Sequence, residues 1–319
     1  DVTVTDAGVT NGDTTYDIVT GGAGNVTITQ GASDLVLDNI NTMANVTLTA
    51  TGGAVTDFNG SGTLNVTADV LTVDAATGVD LDTTVASIDI DNATSGNIDI
   101  RETDGLTVTN ATQTMDNGAN DIIITSTTGD IDVVLIDANT LGDVTLETNS
   151  GAVDGSGGAS ITAGDLEIDA TTGIGNGTAL NLNDVISLNA DTTAGAIDIN
   201  NLASAAVTVQ SMTTGGAGGT INYDQTGDQF MTLDIVSTTN GNVTISNSGG
   251  TGADIFINGA AGGVAADTVN DTVAISSSGA IDDFVGNVET VTDVTAFTID
   301  LDAVEGIGST ADVDLAGTV

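Results

Sequence analysis

Carboxylates are the only titratable side chains that this sequence supplies in number: Asp and Glu total 45, against one basic residue and no histidine or cysteine. Two carboxylates at the right separation are enough for glycoside hydrolysis, one as acid and the other as base or nucleophile. A polysaccharide-degrading groove would set such acids beside a basic residue or a tyrosine. The single basic residue is Arg101, in Ile100-Arg101-Glu102, and the aromatics that stack on sugars make up only 2% of the chain. Among so many acids any one pair is unremarkable, and the competing reading of Arg101 is a surface residue paired with Glu102 or Asp104. The chain therefore reads as a non-enzyme, with a carbohydrate-active enzyme as the outlying alternative.

Carboxylates and turn carbonyls are also calcium ligands. Gly249-Gly250-Thr251-Gly252-Ala253-Asp254-Ile255-Phe256-Ile257 fits the nonapeptide G-G-x-G-x-D-x-U-x, in which turn carbonyls and an Asp from adjacent coils hold the ion. Gly249, Gly250, Gly252 and Asp254 are thus the candidate metal residues. The unit resembles one of the calcium-binding repeats of type-I-secreted proteins. A single unit does not complete such a site, because the ligands come from successive turns. Gly21-Gly22-Ala23-Gly24 and Gly215-Gly216-Ala217-Gly218 lack the Asp at the sixth place. A plain glycine turn is the competing reading. Calcium is the one cofactor suggested, and none is required.

Threonine offers a third chemistry. Thr3-Val4-Thr5, Thr27-Ile28-Thr29, Thr47-Leu48-Thr49 and Thr107-Val108-Thr109 would place paired hydroxyls on one strand face, the kind of surface that binds ice. Asp99, Asp132, Glu167 and Asp198 occupy what look like equivalent outward places and interrupt the row, so ordinary solvent-facing threonine is the expectation. Nine Asn-x-Ser/Thr sequons occur, Asn25, Asn45, Asn65 and Asn242 among them; a chain this rich in Asn and Thr would carry about seven by chance, so the small excess means little, although each is a possible acceptor.

The elements that must carry these groups are legible in a repeated phrase: a small residue, then Asn or Asp, then apolar–x–apolar. It runs GNVTI from Gly24, ANVTL from Ala44, GNIDI from Gly96, NDIII from Asn120 and GDVTL from Gly142. GDLEI from Gly164, GAIDI from Gly195, GTINY from Gly219 and GNVTI from Gly241 continue the series. Steps such as 44 − 24 = 20, 164 − 142 = 22 and 219 − 195 = 24 predict coils of about 20–24 residues, too short for self-sufficient domains. Apolar residues alternate within each phrase, as in Ile98/Ile100 and Val144/Leu146, and most are β-branched, which predicts strands and almost no helix. A slower duplication pairs residues 45–142 with 143–241: Ile98-Asp99-Ile100 recurs as Ile197-Asp198-Ile199, at an offset of 197 − 98 = 99.

The predicted fold is all-β: a parallel β-helix, or β-solenoid, in which residues 1–319 form one elongated element. About 14 coils at ~4.8 Å would make a rod of about 70 Å. Tandem immunoglobulin-like sandwiches are the structural rival, but they ordinarily use a core Trp and edge prolines. Here Trp and Pro are both absent and the shorter period persists inside the duplicated block.

The phrases GNVTI, LTVDAATGVDLDTTVASIDI and GLTVTNATQ resemble the repeat regions of filamentous-haemagglutinin-like exoproteins, large bacterial surface adhesins. The resemblance covers most of the chain, most clearly residues 45–245, and implies a right-handed parallel β-helix outside the cell, acting in adhesion, matrix or filament formation. The secretion-signal domain of that family is not visible in this sequence.

Charge narrows the partners. A net charge of −44 repels nucleic acid and anionic membranes, and needs divalent cations or salt to damp self-repulsion. An extracellular or cell-surface setting supplies them, and a cytoplasm of high salt would too. No apolar run approaches the ~18 residues of a membrane span, so membrane insertion is not expected. The start at Asp1, without Met or leader, suggests a processed chain or a segment of a longer one. Strand-like residues at both ends invite the next coil. The expected function is therefore a stiff structural rod, either a filament, surface-layer or matrix subunit associating end to end with its own copies, or an adhesin stalk flanked by neighbouring repeats.

Overall fold

The computed structural model describes residues 1–6, 15–20, 22–267, 269–284 and 291–318. Gly21, the first residue of one glycine-rich run, lies outside them. Among the described residues there is no helix, every strand pairing is parallel, and the chain is a β-solenoid of about 13 turns. It divides into two compact units, Asp1–Gly151 with Thr162–Gly164, and Ala152–Ile161 with Asp165–Val319.

In the first unit, alternation turns every second residue inward and parallel register places it on its counterpart one coil away. Val4, Ile28, Leu48, Val73, Ile90, Ala111 and Ile136 form one such column. Leu81, Ile100, Ile124 and Leu146 form another. These columns are the core: Ile28, Leu48, Ile90 and Ile100 have no exposed surface. Each such residue contributes about 1.5–3 kcal/mol of burial free energy, opposed by the entropy of ordering the chain. The near absence of large aromatics follows, because small branched side chains are what a narrow, regular interior accepts.

The second unit shows the layout of a coil. Ile221–Thr226, Met231–Leu233 and Ile235–Asn240 make three short strands, each pairing with its successor in Val243–Ser248, Ile255–Ile257 and Gly263–Ala265. Inward columns again run straight, as in Ile197, Ile221, Val243, Val273 and Ile299.

Coil length varies more than the phrase spacing predicts. Register sets Val26 on Val46, a step of 46 − 26 = 20, but Leu71 on Ile88, where 88 − 71 = 17, and Val243 on Val273, where 273 − 243 = 30. The strands must superpose, whereas the turns between them absorb insertions at little cost.

The interior is not uniformly aliphatic either. The third inward position of many strands is polar, and it hydrogen-bonds turn carbonyls that would otherwise be buried without a donor. Thr148 Oγ1 donates to Gly129 O at 2.7 Å, Ser126 Oγ to Asp104 O at 2.7 Å, and Asn92 Nδ2 to Gly96 O at 2.7 Å. In the second unit Asn201, Gln225, Asn247 and Ser277 stack as an interior polar column. Ser277 Oγ there reaches Ala253 O at 2.6 Å.

Glycine is demanded where turns of successive coils touch. Gly195 has φ +92° and a Cβ there would lie 1.9 Å from Thr172 O, whereas Gly218, at φ +81°, has open space around it. Gly195→Ala should therefore lower the stability of the second unit by on the order of 1–3 kcal/mol, and Gly218→Ala by roughly half as much or less. Chemical denaturation of the two variants checks the ranking. Equal effects would mean that the coils are not in contact at that turn.

Candidate functional site

Arg101 lies on the strand Ile98–Glu102, whose inward residues are Ile98, Ile100 and Glu102. Parity therefore turns Arg101 outward, onto the neighbouring strand where Asp82 is its register partner and Asp80 the partner of Asp99. Its Nη2 lies 2.6 Å from Asp80 Oδ1 and 3.0 Å from Asp82 Oδ2, and its Nη1 3.0 Å from Asp99 Oδ1. Nε adds a second bond to Asp82 at 3.2 Å, so that carboxylate is gripped in the bidentate geometry a guanidinium favours. The expected pairing with Glu102 or Asp104 is not formed: Glu102 points into the core and Asp104 belongs to the following turn. Burial opposes the charge on Arg101, but its hydrogen bonds to Asp82 and Asp80 outweigh it and push the pKa up. Burial pushes the Asp99 carboxyl up, Arg101 pulls it back, and Asp80 adds to the rise.

Beside this cluster Thr56, Asn97, Asp80 and Asp99 line an open depression of about 250 Å³. Both carboxylates in it are bonded to Arg101. The arrangement sets one positive charge among three carboxylates from two coils and so reduces their mutual repulsion.

Glu102 is the residue that sequence reasoning missed, although the signal was present in the spacing Ile98, Ile100, Glu102. It is 1% exposed. Oε2 accepts from Thr83 Oγ1 at 2.8 Å and Val85 N at 3.1 Å, and Oε1 from Thr103 N at 2.9 Å and Asp104 N at 3.3 Å. It continues an interior column with Thr83, Ser126 and Thr148. Burial pushes its pKa up to about 7, against the pull of those four donors.

The glycine turn of the second unit places the nonapeptide residues as follows. Asp254 Oδ1 accepts from Ala280 N at 2.7 Å, one coil further on, and Asp254 O accepts from Met231 N at 2.9 Å and Asn247 Nδ2 at 3.1 Å. Gly250 O accepts from Ser278 Oγ at 2.8 Å, and Gly252 N donates to Asp228 Oδ1 at 2.7 Å. Three oxygens of this turn, Asp254 Oδ1, Asp254 O and Gly250 O, thus meet hydrogen-bond donors. Among the described residues no group of three or more acidic side chains is arranged to hold a metal ion.

Asp254 exemplifies a device used in both units. The Asn or Asp that opens the recurrent phrase accepts the backbone N–H of its counterpart one coil away: Asn25 from Asn45 N at 3.2 Å, Asn97 from Asp121 N at 3.0 Å, Asp121 from Asp143 N at 3.3 Å. In the second unit Asp184 accepts from Ser204 N at 2.7 Å and Asn242 from Thr272 N at 2.9 Å. Turn N–H groups that no strand satisfies find acceptors this way, and charge-assisted bonds are the stronger kind. The same accounting bears on the sequons. Asn65 is fully buried, with Nδ2 on Asp57 Oδ1 at 2.7 Å, so it is no glycan acceptor in the folded protein.

A carboxyl whose folded pKa lies above its unfolded value of 4.5 keeps its proton longer in the folded state. Its contribution is then fully present below pH 4.5 and lost as pH rises to about 7. For Glu102 the loss is at most about 3 kcal/mol. Denaturation of the wild type and Glu102→Gln at pH 4.5 and pH 7.5 isolates this contribution, since the other acids titrate alike in both. The variant should show the smaller decline; identical declines would place Glu102 in water.

Comparison with protein-family models, with curated proteins and with solved structures found no match to this chain.

Proposed function

We propose that this chain is a structural protein of the cell exterior, whose stacked coils act as a stiff spacer, filament subunit or matrix element, and that it performs no catalysis. The observation that carries the reading is the use made of its polar groups. Phrase-opening Asn and Asp side chains bond the next coil, corner Thr, Ser, Asn and Gln bond turn carbonyls, and the one guanidinium is committed to three carboxylates. Chemistry of this kind resists extension and bending, because deforming a coil breaks many hydrogen bonds together. The similarity of the repeat phrases to filamentous-haemagglutinin-like exoproteins agrees with a surface or extracellular location. So does a net charge of −44, which calls for a saline or cation-rich medium.

End-to-end association with further copies, or continuation into neighbouring repeats as an adhesin stalk, are two forms of the same mechanical role. Negative-stain microscopy of the native material, with a mass measurement, tests it. Straight particles of uniform width are expected; a discrete mature chain in longer assemblies indicates a filament, and one far longer polypeptide a stalk. Compact globules, or beads joined by hinges, would refute the mechanical reading.

A further inference from the structure

The first unit carries a surface that the mechanical role does not use. Thr3, Thr27, Thr47 and Thr72 are register partners in four successive coils, and Thr5, Thr29 and Thr49 are partners two residues along the same strands. Asp99, Asp132, Glu167 and Asp198, which the sequence alone set in this row, belong to other ladders. Asp99 pairs with Asp80 and Ile123, Asp132 with Thr107, Glu167 with Asn189, and Asp198 with Asn222. Thr107 leaves the row as well, since its partners are Ser87 and Asp132. Seven threonines therefore make an uninterrupted two-column array, which ends at Asp74 and Asp89, the partners of Thr49 and Thr72.

Three properties distinguish this array from scattered surface threonine. Its geometry is a lattice: parallel stacking repeats it every ~4.8 Å along the coil axis, and alternate residues repeat it every ~6.6 Å along the strand. Those intervals are close to the spacings of oxygen atoms on the prism face of hexagonal ice. Its hydroxyls are open to an outside partner: among the described residues, Thr27, Thr29, Thr47, Thr49 and Thr72 make no side-chain hydrogen bond to the chain, and all are partly exposed. Its floor is fixed, because Val26, Ile28, Val46 and Leu48 between and beneath these residues are fully buried. Stiff χ1 in threonine limits the rotamers available, and each hydroxyl offers one donor and two acceptors. The γ-methyl groups favour water ordered around them over water bonded to them. No charged side chain interrupts the array to demand a hydration shell of its own.

We propose that the Thr3/Thr5, Thr27/Thr29, Thr47/Thr49, Thr72 face orders water in an ice-like lattice and binds the surface of ice. The inference is independent of the mechanical reading, since it concerns one face of one unit and survives whether or not copies associate.

Inhibition of ice recrystallisation, with partition of the protein into a slowly growing ice front, tests it on the full chain. The wild type should enter the ice and arrest recrystallisation. Thr27→Tyr, in the middle of the array, should reduce that activity at least about tenfold, since tyrosine suits a strand but breaks the surface lattice. Thr244→Tyr, on an outward position of the second unit, should leave it unchanged. Should Thr27→Tyr lose its β circular dichroism, Thr27→Val, which removes only the hydroxyl, takes its place, with a smaller loss expected. Exclusion of the wild type from ice, or equal activity in the Thr27 and Thr244 variants, overturns the proposal.

Discussion

Superposition of like on like, one coil upon the next, is the constraint from which the rest of this structure follows. A strand in a parallel stack has neighbours fixed on both sides, so a side chain is acceptable only if the same position one coil away can lie against it. Aliphatic residues meet that condition by packing, as in the column through Ile28, Leu48 and Val73. Polar residues meet it by bonding. Corner Ser and Thr hydroxyls donate to turn carbonyls, and phrase-opening Asn and Asp accept turn N–H groups. Between them the two sets complete the backbone hydrogen bonding where strands stop and neither partner strand is available.

The same constraint explains an electrostatic oddity. A net charge of −44 on a regular stack should drive its coils apart, since register sets acid over acid, as at Asp74 and Asp91. Burial, Asp91 and Asp89 push the Asp74 carboxyl up. Elsewhere several carboxylates accept backbone N–H groups, which disperse their charge without a counter-ion, and at one place three share a guanidinium. Acidity here is partly a surface property and partly the means by which turns are tied together.

Fold class was legible because two periodicities, the alternation within Ile98-Asp99-Ile100 and the regular step from phrase to phrase, both follow directly from strand and coil geometry. Coil length was legible only on average, since the turns between Leu71 and Ile88 and between Val243 and Val273 differ by insertions that no ladder registers. The Asn or Asp of the phrase was visible and read as turn chemistry; its bond to the next coil was not, because acceptor and donor lie a whole coil apart in sequence. Misassignment of the outward acids had the same origin. Thr47 and Asp99 look equivalent when phrases are aligned, yet they lie on different faces of the coil, a distinction that depends on how many strands each coil contains. Glu102 was hidden by its charge, which argued for the surface although its parity argued for the core.

Everything mechanical in this account depends on Leu48 lying against Ile28, one coil before it, and Val73, one coil after it. Carbon–carbon proximity measured by nuclear magnetic resonance on isotopically labelled protein addresses that directly. The Leu48 side chain should give contacts to both Ile28 and Val73. Contacts confined to sequence neighbours, or to antiparallel partners as in a sandwich, would contradict the stacked-coil account.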